Sequence, residues 1–223
     1  MPNCPPAFDL DRRKWAVATT GALLAPSLVI PVAGAMASSG ANDAALVKTL
    51  RQGGCVVLVR HAVTVPGLGD PPGMQLNDCS TQRDLSEEGR RQSRAMGRWF
   101  RSHGLVPEAV RSSQWCRCLN TAKEAFGPFN FDPPIPVQPW VALNSFFQGH
   151  GNRDRQLKEA AERAITLRRS KGFEVWVTHQ VVISTLAGRY TSMGEMLVAK
   201  GEHPYPSPLS DRSMQVLSAG VVF

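Results

Sequence analysis

The sequence predicts one α/β domain with an open parallel sheet, on three observations. Two short apolar runs rich in β-branched residues, Cys55–Val59 and Phe173–Val177, have strand length and no helical spacing. Each ends in a histidine at its carboxyl side: Arg60-His61 after the first, Thr178-His179 after the second. Amphipathic helical patterns lie between and after them, most clearly over Ser86–His103 and Asp154–Arg169. A chain of 223 residues is long enough to bury the core of one such domain.

Composition narrows the function classes. At 43% hydrophobic residues the chain is neither a disordered protein nor a multi-span membrane protein. The formal net charge of +7 suits an anionic partner. The arginines are scattered and few aromatics lie among them, which argues against nucleic acid.

Residues 1–37 read as an export signal. Asp11-Arg12-Arg13-Lys14-Trp15 precedes a weakly apolar run, Ala16–Ala33, and Ala33-Gly34-Ala35-Met36-Ala37 supplies small residues for cleavage after Ala35 or Ala37. The paired arginines resemble a twin-arginine signal, although Asp11 stands where Ser or Thr is commoner. The expected destination is a bacterial periplasm. Pro26, Pro31 and several polar residues make the run a poor membrane span, so no span is expected in the mature chain. An uncleaved anchor helix is the competing reading. Residues 38–43 read as a linker, and 44–223 as the folded domain, opening with a short helical pattern over Ala44–Arg51.

After Arg60-His61 comes a turn-rich loop, Pro66-Gly67-Leu68-Gly69-Asp70-Pro71-Pro72-Gly73, placed where loops shape pockets. Ser86 is a helix N-cap with Glu87 and Glu88 in the first turn, Met96, Trp99 and Phe100 form one face, and Arg90, Arg91, Arg94, Arg98 and Arg101 mostly face solvent. A short strand over Glu108–Ser112 precedes helical character from Gln114 to Phe126, which puts Arg117 in a first helical turn with Ser112 and Ser113 nearby. Ile135-Pro136-Val137 reads as an edge strand, Trp140–Gly151 as a loop, Val181–Arg189 as a helix, and Glu195–Ala199 and Met214–Val222 as further strands.

Four groups then converge on one sheet edge: Arg60, His61, Arg117 and His179. Two guanidiniums and two imidazoles make a cage for a dianion. A phosphoryl group in transfer spreads charge over its equatorial oxygens, and fixed cationic donors match that charge. A neutral imidazole is a nucleophile that needs no metal. The cysteine-phosphatase alternative fails on spacing, because Cys55 and Arg60 are separated by four residues within a strand rather than by five in a loop. No zinc spacing, phosphate-binding P-loop or nucleophile-elbow serine is present in the sequence, and neither a metal nor a cofactor is expected.

Val59-Arg60-His61-Ala62-Val63-Thr64, Leu85-Ser86-Glu87-Glu88-Gly89, Ser112-Ser113-x-x-x-Arg117-x-x-x-Thr121-Ala122 and Val177-Thr178-His179 resemble the motifs of the histidine phosphatase superfamily, the phosphoglycerate mutase-like clan, in the family's order. The resemblance covers roughly Ala44 to Phe223. It implies a three-layer α/β/α sandwich with a mostly parallel central sheet. It also implies a phosphohistidine on His61, a second catalytic histidine in His179, and phosphate binding by Arg60 and Arg117, with the Ser113 hydroxyl at the same spot. The Gly69-Asp70-Pro71-Pro72-Gly73, Cys79–Arg83 and Leu143–Phe147 stretches look most like a bacterial subgroup near the lipopolysaccharide core heptose-phosphate phosphatases. The expected partner is therefore a small phosphorylated substrate such as a sugar phosphate or a core phosphate. A phosphotransferase or mutase, or a phosphate-binding protein with lost chemistry, are the alternatives.

The departures concern the chemistry. Ala62 replaces the usual glycine, Val63 the usual glutamate, and Gln180 follows the second histidine. Ser145 stands near where a proton-donating glutamate is often found. Asp70, Glu195 and Asp78 are the remaining proton-donor candidates, each with a plain capping or surface role as the alternative. Without an acid, the leaving group has to be a good one. Four cysteines follow the signal, Cys55, Cys79, Cys116 and Cys118. Either Cys79 bridges to Cys116 or Cys118, or all four stay reduced.

Overall fold

The computed structural model describes residues 35–206, 212–218 and 221–223. The export-signal reading falls on 1–37, almost all of it outside these residues. Six strands form one sheet: β1 (Cys55–Arg60), β2 (Ala109–Ser112), β3 (Val137–Pro139), β4 (Phe173–Thr178), β5 (Met196–Gly201) and β6 (Met214–Val216). Their order is β3-β2-β4-β1-β5-β6. The first four run parallel, while β5 pairs antiparallel with both β1 and β6. The helices are α1 (Ala35–Gln52), α2 (Glu87–Ser102), α3 (Cys116–Phe126), α4 (Arg153–Leu167) and α5 (Gln180–Ala187).

Alternation along the strands splits the core in two. Val57, Val59, Val110, Val175 and Val177 face α1, α2 and α3, meeting Leu46, Leu50, Met96, Phe100, Ala122 and Phe126. Val56, Leu58, Trp176 and Leu197 face α4 and α5, meeting Leu157, Ala161, Ile183 and Leu186. This is the expected three-layer α/β/α sandwich with a mostly parallel sheet. On the second face one charged residue is fully buried: Glu174 of β4 accepts from Arg111 Nε at 3.0 Å, from Trp176 Nε1 at 2.7 Å, and from Arg163.

Several local expectations need correction. Residues 38–43, expected as a linker, are helical within α1. The other half of that helix is docked by Leu46, Val47 and Leu50, and a docked turn propagates helix into neighbouring residues of weak propensity. The edge strand lies at Val137–Pro139 rather than 135–137, because register with Val110–Ser112 of β2 sets its position. The final strand stops at Val216, and among the described residues a single bridge, Met196 to Val221, continues it. On α2, Arg90 and Arg94 are not simply solvated. Both pair with Glu124 of α3, at 3.3 Å and 2.7 Å.

Candidate active site

Strand register builds the site. Arg60 of β1 is paired with Thr178 of the neighbouring parallel β4, so the next residues, His61 and His179, leave adjacent strand ends side by side. The His61 backbone N–H donates to Thr178 O at 3.0 Å, and the two imidazole centroids are 5.6 Å apart. Ser112 of β2 pairs with Val177, which brings Ser113 to the same edge. Both histidines are buried, each about 4% exposed.

The loop after His61 is stitched down by two helices. At the α2 end, the Ser86 side chain caps the helix through Gly89 N–H, and Ser86 N–H donates to Val63 O at 3.0 Å. Gly89 is required there, because a Cβ would lie 1.9 Å from Val63 O. Gln92 Oε1 accepts from Val63 N–H at 3.1 Å. At the α3 side, Thr121 Oγ1 accepts from Ala62 N–H at 3.0 Å and donates to Arg117 O at 2.7 Å. These contacts are the physical content of the Leu85–Gly89 and Ser112–Ala122 motifs.

His61 Nδ1 lies 3.0 Å from Ala62 O. A carbonyl only accepts, so Nδ1 carries the proton and Nε2 presents its lone pair. Burial, then the Arg117 charge, with smaller effects from Arg60 and Arg83, holds the His61 pKa down at about 3 despite the Ala62 bond. His179 is likewise held well below the ordinary histidine value by burial and by Arg117, His61 and Arg60. Its Nε2 is 2.8 Å from Ser113 Oγ and 3.5 Å from the buried Cys118 thiol. Ser113 in turn reaches Asn144 Oδ1 at 3.2 Å, so the hydroxyl holds the His179 ring in place.

Three guanidiniums act on His61, two of them also on His179, and each is tethered by one terminal nitrogen. Arg60 Nη1 donates to Thr191 O at 2.7 Å, with Tyr190 stacked nearby. Arg117 Nη1 donates to both oxygens of Asp70, at 2.7 and 3.0 Å. Arg83 Nη1 donates to Gly67 O. The Nε atoms of Arg60, Arg83 and Arg117 are all buried without a partner. Buried donors are rarely left unpaired, so three of them on arginines whose charges all reach His61 are open to an anionic acceptor. These donors suit an anion and not a cation, and among the described residues no cluster of His, Cys, Asp or Glu could hold a metal ion.

The structure thus brings together Arg60, His61, Ser113, Arg117 and His179. Sequence reasoning missed Arg83, which has no local signal beyond standing before the Leu85-Ser86 helix start. Arg83 reaches the site because its loop is fastened to α3 by the Cys79–Cys116 disulfide and by Gln82 Oε1, which accepts from Cys116 N–H at 2.9 Å. Cys55 and Cys118 are free and buried.

The proton-donor candidates are otherwise engaged. Asp70 also accepts from Arg83 N–H at 3.0 Å and from Trp115 Nε1 at 3.1 Å. Burial works to raise its pKa, but the Arg117 charge and these bonds outweigh it and leave the carboxyl below its usual value. Asp70 is therefore an ionised counter-ion rather than a proton donor in this state. Glu195 accepts from Ser192 N–H at 2.7 Å and closes the 192–195 turn. Asp78 caps the 3-10 turn Cys79–Thr81 through Ser80, the plain role. Ser145 accepts from Phe147 N–H at 3.2 Å.

Fold and site define an α/β protein with two buried, neutral histidines and a group of arginines at the carboxyl edge of its sheet. The family model described as histidine phosphatase superfamily (branch 1) matches residues 56–164. Among solved structures, the protein histidine phosphatase SixA complexed with tungstate is similar at 12% identity and a TM-score of 0.51, over 75% of this chain and 96% of that one. The native mycobacterial glucosyl-3-phosphoglycerate phosphatase is similar at 16% identity and a TM-score of 0.50, over 76% of this chain and 97% of that one. At such identities the likeness is one of fold. No curated protein matches the sequence. Over residues 56–164 the chain is thus similar to the histidine phosphatase superfamily, and its α/β/α fold is shared with these solved structures.

Proposed function

We propose that the chain is a metal-independent phosphatase that hydrolyses a phosphomonoester through a phosphohistidine on His61. One observation carries this reading: His61 presents a free Nε2 among three guanidiniums whose Nε–H groups lack acceptors. The Nε2 lone pair attacks phosphorus, a P–N bond forms, and the ester P–O bond breaks with its electron pair going to the leaving oxygen. Arg60, Arg83 and Arg117 match the charge on the three equatorial oxygens. His179, held by Ser113, lines the same space. Water then attacks phosphorus, the P–N bond breaks, and inorganic phosphate and neutral imidazole are released. With Asp70 ionised against Arg117 and Glu195 turned to the backbone, aryl phosphates, which leave without a proton, are the favoured assay substrates.

The Cys79–Cys116 disulfide supports export, since such bonds persist in oxidising compartments. Among the described residues no helix is long and apolar enough to cross a membrane. A small phosphorylated substrate, a sugar phosphate or lipopolysaccharide core phosphate, fits the closer resemblance of the loops.

The test is turnover of p-nitrophenyl phosphate by the oxidised protein in EDTA, beside His61→Ala. Expected is metal-independent turnover that falls at least about 10³-fold in the variant, with a ³²P label trapped by alkaline denaturing quench on the wild type only. Phosphate binding without turnover would replace this reading with a binding protein. Label passed to an added alcohol in preference to water would replace it with a phosphotransferase.

A further inference from the structure

We propose that Asp70 is the positioning residue for Arg117, fixing which edge of that guanidinium meets the phosphoryl group. The inference rests on the phosphatase reading but concerns a residue outside the four motifs that carry the superfamily resemblance. Arg117 has five N–H donors in one rigid plane. Asp70 takes Nη1 with both carboxylate oxygens, at 2.7 and 3.0 Å, which pins the plane from one corner. The Nε–H at the opposite side is buried and unpaired. The guanidinium is therefore anchored by one nitrogen and empty along the other edge.

Asp70 is itself held on three sides. Arg83 N–H donates to Oδ1 at 3.0 Å and Trp115 Nε1 donates to Oδ2 at 3.1 Å. Arg117 and Asp70 side chains are only 7% and 10% exposed, so the pair is little screened by water. Trp115 also stands edge-on to His179, with centroids 5.4 Å apart. One carboxylate thus links the loop after the nucleophile, the Arg83 strand of chain, the first turn of α3 and the wall of the second histidine. The competing role is a plug: the same carboxylate could occupy Arg117 until phosphate displaces it. The two roles predict opposite signs. A positioning residue, once removed, leaves phosphate bound more weakly, and a plug, once removed, leaves it bound more tightly.

The experiment measures kcat and KM for p-nitrophenyl phosphate and for a phenyl-substituted alkyl phosphate, and inhibition by inorganic phosphate. It uses Asp70→Ala, Asp70→Asn, Arg117→Ala and the Asp70→Ala/Arg117→Ala double variant. Expected for Asp70→Ala is a roughly tenfold weaker phosphate inhibition constant and a similar fall in kcat/KM on both esters. Asp70→Asn, which keeps an acceptor oxygen for Nη1, recovers part of the loss. In the Arg117→Ala background Asp70→Ala adds nothing, because its effect passes through the missing guanidinium. A general role in holding the loop would instead give additive losses and overturn the proposal. Tighter phosphate binding in Asp70→Ala overturns it in favour of the plug. A loss confined to the alkyl ester overturns it in favour of proton donation. If wild type and His61→Ala are equally inactive, the phosphatase reading fails on its own evidence. Phosphate affinities of the Asp70 variants, read by calorimetry, then still decide the positioning claim.

Discussion

A histidine held near pKa 3 by burial and by Arg117 stays neutral at every physiological pH, as the proposed nucleophile must. The proton on Nδ1 is fixed by Ala62 O, so the lone pair lies on Nε2. ¹⁵N-detected spectra of the histidine rings are expected to show His61 as the neutral Nδ1–H tautomer from pH 8 down to pH 5. A titration midpoint near 6.5 at this residue would contradict that. The linked stability has a definite sign. Folded His61 binds a proton less readily than the unfolded chain does, so its contribution is whole above about pH 6.5 and is lost as pH falls toward 3. His179, depressed in the same direction, adds to that loss. Urea titrations at pH 7 and pH 5 are therefore expected to give a lower unfolding free energy at the lower pH.

At the scale of elements, α2 and α3 act as clamps on the loop that follows His61. Gly89→Ala would press a methyl group into Val63 O. The expected cost is about 1–3 kcal/mol of stability with a kcat/KM drop of roughly 10- to 100-fold, because the loop that moves carries His61. Thermal melts and steady-state kinetics on one preparation check both. The Cys79–Cys116 bridge closes a segment with a sequence separation of 37, for which chain entropy gives about 3–4 kcal/mol. Reduction is expected to lower the denaturant midpoint accordingly. Activity in dilute buffer should survive better than stability, since Gln82 still ties the Arg83 loop to Cys116 N–H and to Gln75 and Leu76 carbonyls.

Much of this could be read from the chain because it is local. A strand of six residues that stops in Arg-His or Thr-His declares both the element and the edge at which its histidine emerges. Ser86 and the two glutamates after it declare a helix start. What stayed hidden depends on meetings between distant segments. Asp70 and Arg117 are 47 positions apart, and nothing near either one names the other. Arg83 is summoned by a disulfide whose pairing the sequence left open. Arg90 and Arg94 look like a solvated face until α3 brings Glu124 against them. Glu174, mid-strand and fully buried, is understandable only once Arg111, Arg163 and Trp176 are seen around it.

For the molecule as a whole, a formal net charge of +7 draws anions toward the surface at long range, an effect that salt weakens. The selection that matters happens closer in. Three guanidinium charges stand beside His61, and the Asp70 carboxylate offsets one of them. What remains balances an ester that carries two negative charges. Phosphodiesters and sulfate esters bring only one, and a diester has in addition a second carbon substituent where an Nε–H expects bare oxygen. Bis(p-nitrophenyl) phosphate and p-nitrophenyl sulfate should accordingly be turned over at least about 10²-fold more slowly than the monoester. The chromophore they share with it makes the comparison direct. The protein would then pass by the phosphodiester backbones that crowd any cell and act only where a phosphate stands at the end of a molecule.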